Sequence, residues 1–186
     1  MDIHDAIHAR RSVKLFTDRP IAREQIERLL EAAAQAPNHR MTQPWRFYVL
    51  GPEARRAYGA VLGARKAKKV EDPEAARAVV EKVTTAEAAL PCEIAVSMVL
   101  DASPEIREED YAATMMGVQN LMLAAHAMGL GTHLKSGAVM DDPRARAAVG
   151  VPDGERIVAL VQLGEPAAAA QGKPRRAAAE FTTWVP

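Results

Sequence analysis

The spacing of apolar residues predicts that the chain begins with a short amphipathic helix. Ile3, Ala6 and Ile7 recur on one side of a helix over residues 3–10, so we expect this stripe to face the core. Arg10 follows Ile3 by seven residues, which places it about 20° from the direction of Ile3 at roughly 100° per residue. The first helix is therefore predicted to end with a cation on its apolar side.

The same helical spacing recurs between proline and glycine breaks along the rest of the chain. The longest such stretch carries apolar residues on more than one side, as a helix central to the fold would. Helices are predicted from Pro20–Ile21 to Pro37, from Pro52 through Leu62, over 63–90 with a break at Asp72–Pro73, over 105–128 with Gly129 as its C-cap, and from Asp142–Pro143 to Val149.

Three segments have the pattern of strands. Residues 45–50 and 157–163 alternate between two faces, and residues 92–100 are almost continuously apolar, which is typical of a strand covered on both faces. Because these strands are separated by helices, the sequence predicts an α+β fold with a single domain over residues 1–186.

Composition and charge exclude several classes of function. The chain has 186 residues, of which 48% are hydrophobic, and its formal net charge is zero. This balance argues against a nucleic-acid or membrane-surface protein, and no apolar run approaches the roughly 20 residues of a membrane span. The single cysteine, Cys92, and an acidic start where a signal peptide would be basic lead us to expect a cytoplasmic protein, with Cys92 as a small core residue.

Standard catalytic and metal-binding motifs are missing, and the five histidines show no ligand spacing, so we predict no catalytic side chain and no metal site. Four separated elements instead carry groups that bind anions. They are residues 10–14, 38–44, 134–136 and 173–176. These elements share a task only if one extended anionic ligand touches all of them.

The densest of these elements is Arg10-Arg11-Ser12-Val13-Lys14, which has three cations and a hydroxyl within five residues. One interpretation is a solvated basic end of a helix, favoured by the helix macrodipole. The other is a phosphate cradle, because a cation on an apolar face needs an anionic partner. The spacing alone leaves both interpretations open.

Longer blocks resemble the FMN-dependent nitroreductase family. The resemblance begins with Ala6 to Phe16 and continues with Ala36-Pro37-Asn38-His39 and Gln43 to Phe47. Gly129-Leu130-Gly131, Lys135-Ser136-Gly137 and Val161 to Pro166 follow in the family's order, and the length resembles its short NAD(P)H-dependent members. The resemblance implies a mostly antiparallel central sheet wrapped by helices, in an intertwined homodimer with FMN at each subunit boundary.

The resemblance also implies roles for individual residues. Arg10 and Ser12 would hold the FMN phosphate or ribityl chain, with Arg11 beside them, and Lys14 would lie near the flavin pyrimidine edge. Gln35 and His39 would reach FMN from the second subunit, and Gln43 would bond the ring edge. Leu134, Lys135 and Ser136 would contact the isoalloxazine and phosphate, residues 124–129 match the family's NAD(P)H position, and Lys173 and Arg175 resemble a C-terminal phosphate contact of other branches.

The implied activity is reduction of a nitroaromatic, quinone or similar small acceptor by NADH or NADPH, with the flavin serving both partners in turn by a ping-pong mechanism. The alternative is a flavin-binding protein with little turnover, used for FMN storage, sensing or assembly.

Overall fold

A computed structural model describes all residues from 1 to 186 and confirms the α+β class. The chain has six α-helices and four strands, with one or two helices before each strand, and a short 3₁₀ turn lies near the C-terminus. Their bounds are α1 Ile3–Ala9, α2 Arg23–Ala34, β1 Trp45–Val49, α3 Pro52–Ala67, α4 Pro73–Ala88, β2 Cys92–Val99, α5 Pro104–Ala127, β3 Gly131–Lys135, α6 Pro143–Ala148, β4 Glu155–Gly164 and the 3₁₀ turn Ala178–Phe181.

The four strands form one sheet in the order β1-β2-β4-β3, and every neighbouring pair is antiparallel. Strand β3 is not among the three segments that the sequence predicts as strands. This part of the prediction is wrong. One glycine and three polar residues hide the alternation of a strand that is only five residues long, although Gly131–Lys135 pairs with β4 throughout its length.

Helices cover both faces of the sheet. On one face, α2 and α5 pack their apolar residues against β2 and β4, with Leu29, Val118 and Leu121 fully buried. On the other face, α3 and α6 pack against Ala95 and Leu160 of the same strands. Burial on both faces explains why β2 is almost continuously apolar.

Cys92 is among the buried core residues, and its burial raises the pKa of the thiol to about 11. No helix in the structure has the length and apolar character needed to cross a membrane.

Residues 63–90 lie almost entirely in α3 and α4, which form a close helical pair. Asp72 caps α4 by accepting a hydrogen bond from the backbone N–H of Ala75 at 2.6 Å, and Pro73 occupies the first helical position. The helices approach closely because Gly59 and Gly63 present no side chain: a Cβ on Gly63 would lie 2.9 Å from Val80 Cα.

The first helix differs from its prediction. Only Ala6 of its apolar stripe is buried, whereas Ile3 and Ile7 are 58% and 51% exposed. The helix is too short for all three residues to reach the chain's own core, and α1 touches α5 only along one narrow line of contact. The apolar face of α1 therefore remains uncovered in a single chain.

The close approach of α3 and α4 predicts that Gly63→Ala destabilises the protein. A methyl group there meets backbone atoms that cannot rotate away, and overpacking of this kind costs about 1–3 kcal/mol, partly offset by the better helix propensity of alanine. We expect a net loss of about 1–2 kcal/mol in the free energy of unfolding, measured by urea denaturation at fixed protein concentration. Gly51→Ala is the comparison variant: its Cβ meets nothing within 4 Å, so only the weaker N-cap preference of alanine should lower the stability, and by less than in Gly63→Ala. Equal effects of the two substitutions would contradict this interpretation of the α3–α4 contact.

Candidate active site

The basic segment that follows α1 lies along the outer edge of β3. Ser12 forms a parallel bridge to Thr132, and the backbone N–H of Val13 donates to Thr132 O at 2.9 Å. Val13 packs so closely on Gly131 that a Cβ there would lie 2.7 Å from its side chain. The segment is thus held as a short added strand, which fixes the positions of the cations on either side of Val13.

The chain's C-terminal segment continues beside this added strand. The backbone N–H of Thr17 donates to Glu165 O and that of Ala167 donates to Leu15 O, at 2.9 and 3.0 Å. Further on, Gly172 lies directly against the guanidinium of Arg11. Residues distant in sequence are therefore brought to one place.

The result is a cavity of about 370 Å³ with a strongly cationic wall. None of its lining residues is acidic, and five of the nine are arginine or lysine. The lining consists of Arg10, Arg11, Ser12, Lys14, His133, Leu134, Gln171, Lys173 and Arg175. An anionic ligand is what such a wall accommodates best.

Arg10 shows how little of this positive charge is compensated within the chain. Burial lowers the pKa of its guanidinium, and the neighbouring charges of Arg11 and Arg175 lower it further. Its Nε is buried without a hydrogen-bond partner. Arg11 donates only to backbone carbonyls, those of His8 at 2.5 Å and Arg10 at 2.9 Å. A phosphate oxygen would satisfy the unpartnered donor of Arg10 and relieve the repulsion among the cations.

A second cavity, of about 400 Å³, adjoins the first and shares His133 and Leu134 with it. Lys135 and Ser136 line this second cavity, together with residues of α3 and the segment after β3: Tyr58, Leu62, Lys66, Val139 and Met140. Of the ten residues predicted for the site, seven therefore line two adjoining cavities. The sequence reasoning missed His133 and Gln171, which carry no recognisable motif, and left Lys173 and Arg175 undecided.

The side chain of Lys135 belongs to a buried polar cluster beneath the second cavity. Its Nζ lies 2.5 Å from Oε1 of Glu87, a buried residue of α4. The other oxygen of Glu87 accepts from Gln162 Nε2 at 3.0 Å, and Glu93 Oε1 lies 3.4 Å from the same nitrogen. Burial, followed by repulsion from Glu87, raises the pKa of Glu93 to about 7. The predicted contact of Lys135 with a ligand would thus be made by a residue whose ammonium is already ion-paired.

The remaining predicted residues, Gln35, His39 and Gln43, lie elsewhere and are exposed. The loop that carries them is ordered internally: Asn38 Oδ1 accepts from the backbone N–H of Gln43 at 2.7 Å, and Thr42 Oγ1 donates to the buried Asp110 at 2.5 Å. This structure holds Gln43 at a φ of +45°, in the left-handed region.

His39 and Arg40 both bind Glu109 of α5, each at 3.0 Å, and these contacts lower the pKa of the Glu109 carboxyl. None of Gln35, His39 and Gln43 lines the cationic cavity of its own chain.

The site and the fold define an α+β domain whose charged cavity lies at the edge of an antiparallel sheet. The sequence model of the nitroreductase family matches residues 7–165, and the chain belongs to that family. The predicted family is therefore confirmed.

Individual relatives cover almost the whole chain. The Bacillus subtilis protein YfhC, whose name assigns it to the NAD(P)H nitroreductases, is 34% identical over 93% of this chain and 89% of its own. A nitroreductase-like family protein from Bacillus cereus has a TM-score of 0.86 at 31% identity, covering 100% of this chain and 96% of its own. A nitroreductase from Desulfovibrio desulfuricans, solved in complex with FMN, has a TM-score of 0.77 at 25% identity, covering 100% and 98%.

The buried cluster predicts a pH-dependent stability that passes through Glu93. Its pKa is about 7 in the folded chain and near 4.5 when unfolded, so between these values the folded state binds more protons. The free energy of unfolding should therefore fall as pH rises from 4.5 to 7, by at most about 2–3 kcal/mol from this group. Glu93→Gln should flatten this slope, measured by urea unfolding between pH 4.5 and 8.

Glu81→Gln provides the control, because Glu81 is an exposed residue of α4 without a recorded partner. It should retain the wild-type slope. An unchanged slope in Glu93→Gln would show that Glu93 does not titrate in this range.

Proposed function

We propose that this protein is an FMN-dependent oxidoreductase that uses NADH or NADPH to reduce small acceptors such as nitroaromatics or quinones. The observation that carries the proposal is the cavity with five cations and no acidic residue, built on the edge of a nitroreductase-fold sheet. The FMN complex of the Desulfovibrio desulfuricans structure and the NAD(P)H in the name of YfhC support the choice of cofactor and co-substrate.

The phosphate of FMN would be held where the cations converge. Arg10, Ser12, Lys173 and Arg175 all line the same cavity, and Arg10 has a buried donor to spare. Charge-assisted hydrogen bonds of this kind contribute roughly 1.5–3 kcal/mol each. Two of these residues come from the N-terminal segment and two from the C-terminal segment, so the ligand would join the two ends of the domain.

The flavin ring would be held by residues of both cavities. Lys14, within the added strand, would place a positive charge beside the ring and favour its reduced, more negative form. Leu134 and Ser136 would contact the ring from β3 and the turn that follows. Lys135 would add charge from its fixed position against Glu87. When bound, FMN supplies the hydride chemistry, and the protein residues bind, orient and tune it.

A second copy of the chain would complete the site. Gln35, His39 and Gln43 are exposed on a surface that also carries apolar side chains, including the 42%-exposed Met116 of α5. Together with the uncovered apolar face of α1, this surface supports an intertwined homodimer, in which these three residues would reach FMN bound to the other chain. Nicotinamide and acceptor would then occupy one open face in turn, giving ping-pong kinetics.

The visible spectrum tests the proposal directly. We expect the purified protein to be yellow or to become so on incubation with FMN, and to bleach rapidly when mixed with NADH or NADPH without oxygen. A subsequent addition of a quinone or nitroaromatic should restore the oxidised spectrum. A protein that binds FMN and stays oxidised with both nicotinamides would instead be a flavin-binding protein with little turnover. Failure to take up FMN would refute the proposal as a whole.

Arg10→Ala tests the phosphate contact. Removing one charge-assisted bond worth about 1.5–3 kcal/mol should raise the Kd for FMN roughly 10- to 100-fold, measured by quenching of flavin fluorescence. The apoprotein should be at least as stable as before, because Arg10 is desolvated and has no anionic partner to lose. Arg56→Ala, at an exposed position of α3, is the matched control and should leave the Kd unchanged. Sedimentation checks that both variants keep the wild-type assembly state, and an unaltered Kd in Arg10→Ala would exclude a role in phosphate binding.

A further inference from the structure

A row of polar side chains crosses the sheet from its centre to the edge beside the cationic cavity. Glu93 on β2 faces Gln162 on β4, and Gln162 faces His133 on β3. All three lie on the face of the sheet that α3 and α6 cover, and α4, which packs on α3, contributes Glu87. Because buried polar groups need hydrogen-bond partners, these side chains bond one another along the row.

The orientation of the Gln162 amide is fixed by charge. Its Nε2 donates to Glu87 Oε2 at 3.0 Å and lies 3.4 Å from Glu93 Oε1. The Lys135 ammonium donates to the other oxygen of Glu87, Oε1, at 2.5 Å. The reverse orientation would put the amide oxygen against Glu87 Oε2, where two acceptors would repel each other.

The amide orientation in turn fixes the tautomer of His133. Gln162 Oε1 lies 3.2 Å from His133 Nδ1 and can only accept, so Nδ1 carries the proton. Burial lowers the pKa of His133, the hydrogen bond with Gln162 opposes this effect, and the charges of Lys135 and Lys14 lower the pKa further, so that the neutral ring is favoured. No protein group bonds Nε2, which therefore keeps a free lone pair.

The free nitrogen matters because the cationic cavity has few acceptors. Arginine and lysine side chains only donate, and they make up five of the nine residues in its lining. Besides His133, only Ser12 and Gln171 offer a side-chain acceptor there. A ligand that carries hydroxyl groups as well as a phosphate needs acceptors close to its anion site.

We propose that His133 is a binding residue for the hydroxyl-bearing chain of the ligand, with Nε2 as the acceptor, and that Gln162 with Glu87 is the device that keeps it in the accepting tautomer. The inference rests on the proposed function, in which the ligand is FMN and the hydroxyls are those of its ribityl chain. It assigns no part of the phosphate contact to His133. Glu87 and Gln162 act through His133, so they are positioning residues.

The tautomer can be measured without any ligand. Nitrogen-15 NMR of the wild-type apoprotein at pH 7.5 should show His133 protonated at Nδ1 and bare at Nε2. Gln162→Leu removes the acceptor at Nδ1 and should shift His133 toward the Nε2-protonated form that predominates in free imidazole side chains. An Nε2-protonated His133 in the wild type would overturn the proposal, whether or not the protein binds FMN.

The ligand contact is tested with two probes, FMN and inorganic phosphate, at pH 7.5. His133→Phe keeps an aromatic ring but loses the acceptor, and should raise the Kd for FMN about three- to tenfold, the worth of one neutral hydrogen bond. The Kd for phosphate should not change. His4→Phe, at an exposed position of α1, is the control and should affect neither.

The outcomes separate this inference from the proposed function. If wild type binds FMN and His133→Phe binds it equally well, the inference is wrong while the proposed function stands. Equal weakening of phosphate and FMN would also overturn it, because His133 would then act at the anion. If wild type fails to bind FMN, the proposed function fails, and the inference falls with the ligand on which it rests, even where NMR confirms the tautomer.

Discussion

The pairing of residues 12–17 with the β3 edge and with residues 165–167 is the constraint on which the rest of the site depends. Three backbone hydrogen bonds hold this added strand, from Val13 to Thr132, Thr17 to Glu165 and Ala167 to Leu15. The approach is close enough that Gly131 and Gly164 are required opposite Val13 and Phe16. Without this pairing Arg10, Arg11 and Lys14 would be cations on a mobile terminus, and the C-terminal cations would have no cavity to line.

The cations at this edge of the sheet repel one another, which lowers the stability of the chain unless an anionic ligand is bound. Five cations line one cavity with no acidic residue, and the most buried of them, Arg10, has an unpartnered donor. The charges of the buried cluster beneath the second cavity are compensated within the chain, because Lys135 is paired with Glu87 and burial raises the pKa of Glu93. Although the net charge of the chain is zero, its charges are unevenly distributed. The buried cluster around Glu87 is paired within the chain, whereas the cations of the cavity have no acidic partner there.

Sequence patterns predicted the parts of this structure that local rules govern. The proline and glycine breaks marked the helix ends, and the continuous apolar run identified β2 as a strand buried on both faces. Strand β3 was not predicted because its glycine, Gly131, serves a contact with Val13, which lies over a hundred residues away in the sequence. Glu87 lies in a charged helical segment where a solvated side chain is the reasonable expectation, and only the structure shows that it is buried in contact with Lys135 and Gln162. No local sequence pattern marks His133, because its proposed role depends on Gln162, its partner on the neighbouring strand β4.

In the proposed homodimer, the cationic cavity and the loop with Gln35, His39 and Gln43 would come from different chains. The cationic cavity belongs to the β3 edge, whereas the loop with Gln35, His39 and Gln43 is fastened to α5 through Glu109 and Asp110 and lines a different surface. That loop stores strain at Met41 and Gln43, both at positive φ, and strain persists only where surrounding contacts fix it. A preformed loop beside exposed apolar residues is suited to reach across an interface, because it loses little conformational entropy on docking. In the proposed homodimer, this loop and the uncovered face of α1 would both lie at the interface, and a second copy would close the cationic cavity of the first.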